Sequence, residues 1–368
     1  MPFLFSDEQR QISQEARRRL TDDYSGQALR ALLEAEGAFD EAFWAACQEM
    51  GWTGITVAET HGGLELTPVE LGLVALECGR VCAGAPFLAT SFAASEALRL
   101  WGDAAMQNAW LPGLATGELK GALAFAEAPG SAISAEPLAR FSDGRLNGAK
   151  DWIVGGAAAD LAIVLAQTDE GRPDLIVVDL RGPGVVRKPA ATLDNSRCMA
   201  RLTFTNTPAT RLGAPDALSA AASLVQRAAL IGAFEQLGGA ETCLETARDY
   251  ASQRHAFGQP IGKFQAIKHK IAEMFVLNEV ARGAALRAVM SLAEGQPDLA
   301  VRVAAARLAA SEAYEYAAGE AIQVHGAIGA TWEHDLHLHY RRARSQALEW
   351  GARAEWEDLV VAQIAETA

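Results

Sequence analysis

The sequence is short of the groups that metal centres, disulfide scaffolds and nucleic-acid surfaces depend on. Its 368 residues hold five cysteines (Cys47, Cys78, Cys82, Cys198, Cys243), with no C-x-x-C pair and no histidine at ligand spacing. Cys78 and Cys82, four apart on an expected helix, read as small buried thiols rather than a metal clip. The odd count fits a reducing compartment. There is no excess of basic residues: the net charge is -14, which argues against a phosphate-tracking surface for nucleic acid. A local basic patch can still hold a phosphorylated cofactor. His325, His334, His337 and His339 gather near the end, but they do not put three ligands on one helix face. No H-E-x-x-H occurs, so no metal is expected. The first ten residues lack the basic start and long apolar core of a signal peptide, and the expectation is a cytoplasmic protein. A membrane span is not expected. The apolar stretch 217–234 is interrupted by Gln226 and Arg227 and runs on into polar, periodic sequence, which suits a buried bundle helix. No G-x-G-x-x-G follows a strand, which disfavours a Rossmann dehydrogenase.

What is present is a chain half hydrophobic by residue and rich in alanine, a composition that favours closely packed helices. Its length exceeds one ordinary domain. Ser6 can cap a first helix with Asp7 and Glu8 in its first turn. Helical periodicity follows at 41–50, 68–82 and 87–101, with a loop at His61-Gly-Gly-Leu64, and Leu111-Pro-Gly closes the region. The pattern changes at Leu119. Short strand-like runs at 121–126, 151–155, 161–166, 175–180 and 202–205 are separated by turn clusters, which indicates an antiparallel sandwich or barrel. Helix periodicity returns at about Ala214 and predicts helices over 215–253, 264–294, 298–325 and 333–350, packed as a bundle. The fold class expected is therefore multidomain α+β. It comprises an N-terminal helical domain (1–118), a central antiparallel β domain (119–213) and a C-terminal four-helix bundle (214–368).

Four motifs carry the chemistry. Arg254-His-Ala-Phe257-Gly-Gln-Pro-Ile-Gly-Lys-Phe264-Gln265 joins a cation, a ring, a tight turn and an amide at the mouth of a long helix. Such a set suits a large anionic aromatic ligand: guanidinium for pyrophosphate, ring for stacking, amide for a heterocycle edge. Taken alone, Arg254 and Phe257 read as a surface ion pair and a core ring; the full string, with Gln265 eight residues beyond Phe257, is more specific. Gln323-Val-His-Gly326-Ala327-Ile-Gly329 ends a helix at glycines that leave backbone open to a neighbour, which is partly a plain C-cap. In Lys150-Asp-Trp152-Ile-Val154-Gly, a tryptophan on a strand could cover a flat ring, although such a residue is more often core. Phe125-Ala126-Glu127 ends a strand just before a Pro-Gly-Ser loop.

Over nearly the whole chain these motifs, in this order, resemble the acyl-CoA dehydrogenase flavoproteins. The resemblance implies FAD as cofactor and an acyl-CoA thioester as substrate, with an electron-transferring flavoprotein as electron acceptor. It also implies a homo- or hetero-oligomer with a homologous subunit. Arg254, Phe257, Gln265, Gln323, Gly326 and Ala327 would reach a flavin bound mainly by a neighbour. Phe125, Ala126, Trp152 and Val154 would face the chain's own flavin. Three departures stand out. Ala327 replaces a glycine, and Ala126 and Val154 replace hydroxyl residues that contact flavin.

The resemblance also locates a missing base. Dehydrogenation of a thioester needs a carboxylate to take the α proton while the β hydride leaves for flavin. Counting without gaps from Arg341-Arg342-Ala343, one family position for this glutamate falls at Trp350. Counting back from Arg254, the other falls at Ala228. Glu349 is one residue from the first, and one helical residue turns a side chain by about 100°. A one-residue deletion between Ala343 and Ala347 would restore Glu349 as the catalytic base of an ordinary homotetramer. Otherwise the chain is a pseudo-active subunit paired with a catalytic homologue in an α2β2 tetramer. A flavin monooxygenase or nitroalkane oxidase on the same fold is a third possibility. Small residues at 228–233 and near 62–65 and 87–95 favour a wide acyl cavity.

Overall fold

The computed structural model describes residues 5–23, 26–83, 87–128 and 130–367. Pro129, in the Pro-Gly-Ser loop, lies outside the described residues. Six helices come first: α1 (Asp7–Asp23), α2 (Gly26–Leu33), α3 (Glu41–Glu49), α4 (Pro68–Arg80), α5 (Phe87–Trp101) and α6 (Ala104–Thr116). Ser6 caps α1 as expected, its Oγ accepting from Gln9 N at 3.1 Å while Gln9 Oε1 accepts from Ser6 N. Thr67 and Glu70 form the same reciprocal box at the start of α4. Helix α6 runs through Pro112 and Gly113, where the sequence suggests a turn. Asp103 caps its start, Gly117 closes its end in the left-handed region, and buried Leu111 and Leu114 anchor it.

Eight strands follow: β1 (Gly121–Ala124), β2 (Arg140–Ser142), β3 (Arg145–Ile153), β4 (Leu161–Thr168), β5 (Pro173–Asp179), β6 (Val185–Pro189), β7 (Ala200–Pro208) and β8 (Thr210–Arg211). They form one sheet ordered β6-β7-β3-β2-β4-β5-β8, with β1 beside β4. Most pairings are antiparallel, as the close spacing of the strands predicts. Two are not, since β1 and β2 each run parallel to β4. One face of β4 packs on the helices through Leu161, Ile163 and Leu165. The other face joins Ala162, Val164 and Ala166 to a separate apolar cluster within the β domain.

The last region holds α7 (Ala217–Gln253), the short hairpin β9 (His255–Ala256) and β10 (Gln259–Pro260), then α8 (Gln265–Glu294), α9 (Leu299–His325), α10 (Leu336–Gln346) and α11 (Arg353–Thr367). By length and composition α7 could cross a bilayer, but 67% of its most apolar window is buried inside the fold. It lies against α4 at backbone contact, because a Cβ on Gly79 or Gly238 would meet the carbonyl oxygen of Glu235 or Leu76 at 1.8 Å. The fourth long helix expected over 333–350 is instead α10, a turn, and α11. Trp350 and Gly351 take φ values of 63° and 104°, which no helix tolerates.

Candidate active site

The sequence motifs assemble at two separate places. One is the end of the bundle where α7 and α9 terminate. Tyr250, in the last turn of α7, stacks on His325 at the end of α9, with ring centroids 4.1 Å apart. That stack brings the Arg254 loop and the Gln323–Ala327 turn to one end of the molecule. The side chains of Arg254, Gln265 and Gln323 are exposed there, and no described residue pairs with the Arg254 guanidinium. Phe257 is 96% exposed and sits at φ 52°, with only an edge contact to Phe264 at 6.1 Å. A bulky apolar ring held in a disfavoured backbone conformation, almost wholly in solvent, is costly on both counts. This surface suits an anionic, aromatic ligand that the chain itself does not bring to it. Along α8 the apolar Phe275, Val276 and Val280 are exposed as well.

The second place is a cavity of about 640 Å³ between the β domain and the turn that joins α10 to α11. Phe125, Ala126, Trp152, Val154, Val225 and Trp350 are among its walls. Trp152 is 45% exposed at φ 57°, so a flat ligand has an aromatic face to rest on. The side chains at 126 and 154 offer no hydroxyl. Near one wall, Ala352 N donates to Gly130 O at 3.2 Å and Ala132 N donates to a Glu355 carboxylate oxygen at 3.4 Å. Gly351 permits this clasp, because a Cβ there would lie 2.5 Å from Glu355 Oε2. Arg254, Phe257, Gln265, Gln323, Gly326 and Ala327 line none of this cavity. The two groups of motif residues therefore do not meet within one chain.

Three titratable groups touch the cavity: Glu315, Arg344 and Glu349. Glu315 and Arg344 pair with each other at 2.5 Å. The expectation that Glu349 is a free catalytic base does not fit the geometry. Its side chain is 1% exposed, and both oxygens accept from Arg197, Oε1 from Nε at 2.7 Å and Oε2 from an Nη at 2.9 Å. With both oxygens engaged by Arg197, this carboxylate would have to loosen that pairing to reach a substrate proton. Glu349 and Trp350 both line the cavity, but the Glu349 carboxylate is engaged by Arg197.

Behind Glu349 runs a buried chain of charge. Arg197 also donates to Glu235 at 2.8 Å, Glu235 accepts from Arg342 at 2.9 Å, and Arg342 reaches Asp194 at 2.5 Å. Arg307 donates to the Glu349 carbonyl at 2.9 Å and to Gln236 at 2.7 Å. Three carboxylates thus face three guanidinium groups with no net charge. Burial raises the proton affinity of Asp194, yet Arg342 and Ser196 more than offset this and hold its pKa below the ordinary value. Burial lowers Arg307 to about 10. The network ties β-domain residues 194–197 to α7, α9 and α10, and Arg342 adds bonds to the Cys82 and Ala83 carbonyls. Sequence reasoning overlooks Arg197 and Glu235. The signal was there in Glu235, the first acid after a long apolar run, at a depth where an acid needs a partner.

The small residues from which a wide acyl cavity is expected do not line the cavity beside Trp152. Ala228, Ala229, Leu230, Ile231 and Ala233 are all buried in the core, and none of them lines the cavity. No group of three or more potential metal ligands occurs among the described residues.

Comparison with known proteins adds a lineage. Residues 6–118 match the acyl-CoA dehydrogenase N-terminal domain and residues 218–363 the acyl-CoA dehydrogenase C-terminal domain. The chain is 34% identical to acyl-CoA dehydrogenase IpdE2 of Mycobacterium tuberculosis over 92% of both chains. It is 30% identical to human mitochondrial short-chain specific acyl-CoA dehydrogenase, over 91% of this chain and 84% of that one. Among solved structures it superimposes on the Tcur3481-Tcur3483 steroid ACAD with a TM-score of 0.88 at 28% identity, covering 98% of each chain.

Proposed function

Since the chain belongs to the acyl-CoA dehydrogenase family of oxidoreductases, we propose that it serves as one subunit of an FAD-dependent enzyme that dehydrogenates an acyl-CoA thioester. In this reading it pairs with a homologous subunit. Arg254, Phe257, Gln265 and Gln323 then complete a flavin site whose larger part the partner provides. The carrying observation is the division of the motifs, with the bundle-end groups exposed and ligand-ready and the cavity groups elsewhere. The bundle end fits a dinucleotide: an unpaired guanidinium for pyrophosphate, a solvent-facing ring for stacking, and an amide for hydrogen bonds. When bound, FAD supplies the hydride acceptor.

The chain's own cavity fits catalysis less well. It offers Trp152 as a platform, but Glu349 is locked on Arg197 and Glu315 on Arg344, so neither carboxylate is positioned to take an α proton. The partner is therefore assigned the proton abstraction. The paired name of the Tcur3481-Tcur3483 steroid ACAD supports a two-chain assembly, and the exposed apolar stripe on α8 gives it a surface. A steroid-type acyl group and an electron-transferring flavoprotein as electron acceptor complete the reading.

The test is to co-express this chain with a co-encoded homologue, purify the complex and count flavins by absorbance against protein. An assembly that holds flavin and loses it on Arg254→Gln supports the reading. A flavin-replete homo-oligomer of this chain alone, bleached by saturated acyl-CoA, refutes it.

A further inference from the structure

Three rings stand in line where α7 and α9 end. Tyr250 stacks on His325 with centroids 4.1 Å apart, and His334 meets His325 edge-on at 4.9 Å. The line joins the last turn of α7, the end of α9 and the turn that leads into α10. Gly326 closes α9 at φ 68°, its N–H donating to Gln323 O. The rings therefore tie the segment that carries Arg254 to the one that carries Gln323.

Hydrogen bonds fix the proton on each imidazole. His325 Nδ1 lies 2.8 Å from the Ala321 carbonyl, which only accepts, so this nitrogen carries a proton. His334 Nδ1 lies 3.2 Å from Leu336 N, which only donates, so this nitrogen is bare and the ring uncharged. The bond satisfies the first N–H group of α10. Asp335, the usual residue type for that task, makes no cap because it is turned to Arg30. His337, next along α10, donates from Nε2 to Trp332 O at 3.0 Å and stacks on the Trp332 ring.

His325 is faced by Tyr250 from α7 and by His334 from the turn. His334 is faced by Asp335, by Arg30 from α2 and by His337 from α10. Burial holds both imidazoles below the ordinary histidine value; on His334, Arg30 and His337 add to it and Asp335 opposes it. The fold keeps the neutral form, so order present above the ordinary histidine range is lost as pH falls through the lower folded value. The Tyr250 face can carry a charge on His325. A charged His334 cannot keep its bond, because its Nδ1–H then confronts the Leu336 N–H.

We infer that His334 and His325 are positioning residues: the uncharged His334 ring caps α10 and, through His325 and Tyr250, fixes the Gln323–Ala327 turn against the Arg254 loop, so that acid loosens the flavin-facing end. The functional consequence rests on the flavin reading above, whereas the cap does not, and the two are measured separately.

Hydrogen–deuterium exchange of the full chain tests the cap between about pH 7.5 and about pH 5, a window that covers histidine and stays above the carboxylates. After correction for intrinsic amide rates, wild-type residues 331–338 should lose protection roughly fivefold in acid, the size of one lost helix cap, while α4 stays as it was. His334→Asn offers an amide oxygen in place of the bare nitrogen and does not titrate, so its protection should be the same at both pH values. The assembly with its homologue should release flavin faster in acid by a similar factor, and the assembly with His334→Asn should not. Tyr250→Leu breaks the line of rings and should release flavin faster at both pH values, while its residues 331–338 still respond to acid. Equal wild-type protection at both pH values, or acid loosening that persists in His334→Asn, overturns the cap. Flavin release that ignores pH while protection falls overturns the positioning role. An assembly without flavin at neutral pH refutes the flavin reading and with it that role, and the exchange result then decides the cap alone.

Discussion

Replacing the Glu349 carboxylate with a carboxamide separates a structural role from a catalytic one. Glu349→Gln keeps the shape of the side chain and one oxygen for Arg197, but leaves three buried guanidinium groups facing two carboxylates. Removing one partner from a buried ion pair costs about 3–5 kcal/mol. The retained amide oxygen places this variant near the lower end, about 3 kcal/mol. Unfolding entropy is about 2.1 cal/mol/K per residue near the melting point. Over 368 residues melting as one unit, that loss lowers the melting temperature by roughly 4 °C. Scanning calorimetry and urea titration give the two measures. A cycle with Arg197→Met should show a coupling of about 1–3 kcal/mol, because the double variant again balances the buried charges. A free catalytic base behaves otherwise, its carboxamide leaving stability nearly intact and abolishing dehydrogenation. Melting within a degree of the wild type, or strict additivity in the cycle, would refute the argument from pairing.

Other outcomes follow from the same geometry. Arg254→Gln should weaken flavin retention by the assembly roughly 10–100-fold, the loss expected for one charge-assisted contact, measured by flavin released on dilution. Phe257→Gly should leave the melting temperature nearly unchanged, since the ring is 96% exposed and glycine suits φ 52°, while flavin retention falls; loss of stability without loss of flavin counts against a ligand-facing ring. The folded-state pKa of Asp194 is depressed, so its contribution is present above the unfolded value and is lost as pH falls through the folded one. Stability should therefore decline below the ordinary carboxylate range, and Asp194→Asn should flatten that limb of a melting-versus-pH curve. All five thiols are free and buried, and burial pushes Cys82 to about 12, so a thiol-reactive dye should label none in the native protein and all five in denaturant.

The parts of this molecule that were legible in sequence are those in which neighbouring residues act together. Periodicity located α4, α5, α7, α8 and α9, and the Arg254–Gln265 string declared its surface because cation, ring and amide are contiguous. Strand β6 was missed because Arg187 and Lys188 give an edge strand the composition of a loop, which is what keeps an edge from pairing further. Helix α6 was missed because Pro112 reads as a breaker, while two caps and two buried leucines hold the helix regardless. The state of the cavity was hidden for a different reason. Small residues at 228–233 imply open space only if nothing else packs on them, and here they are buried in the core, with the Trp350 indole against Gly232. Counting from Arg341 put Trp350 at the place of the missing carboxylate, but counting could not say where the indole goes. It points at the glycine on α7, and the acid beside it points at Arg197. A residue type therefore indicates chemistry only once its side chain's direction is known, and on this short turn that direction is set by two consecutive positive φ angles.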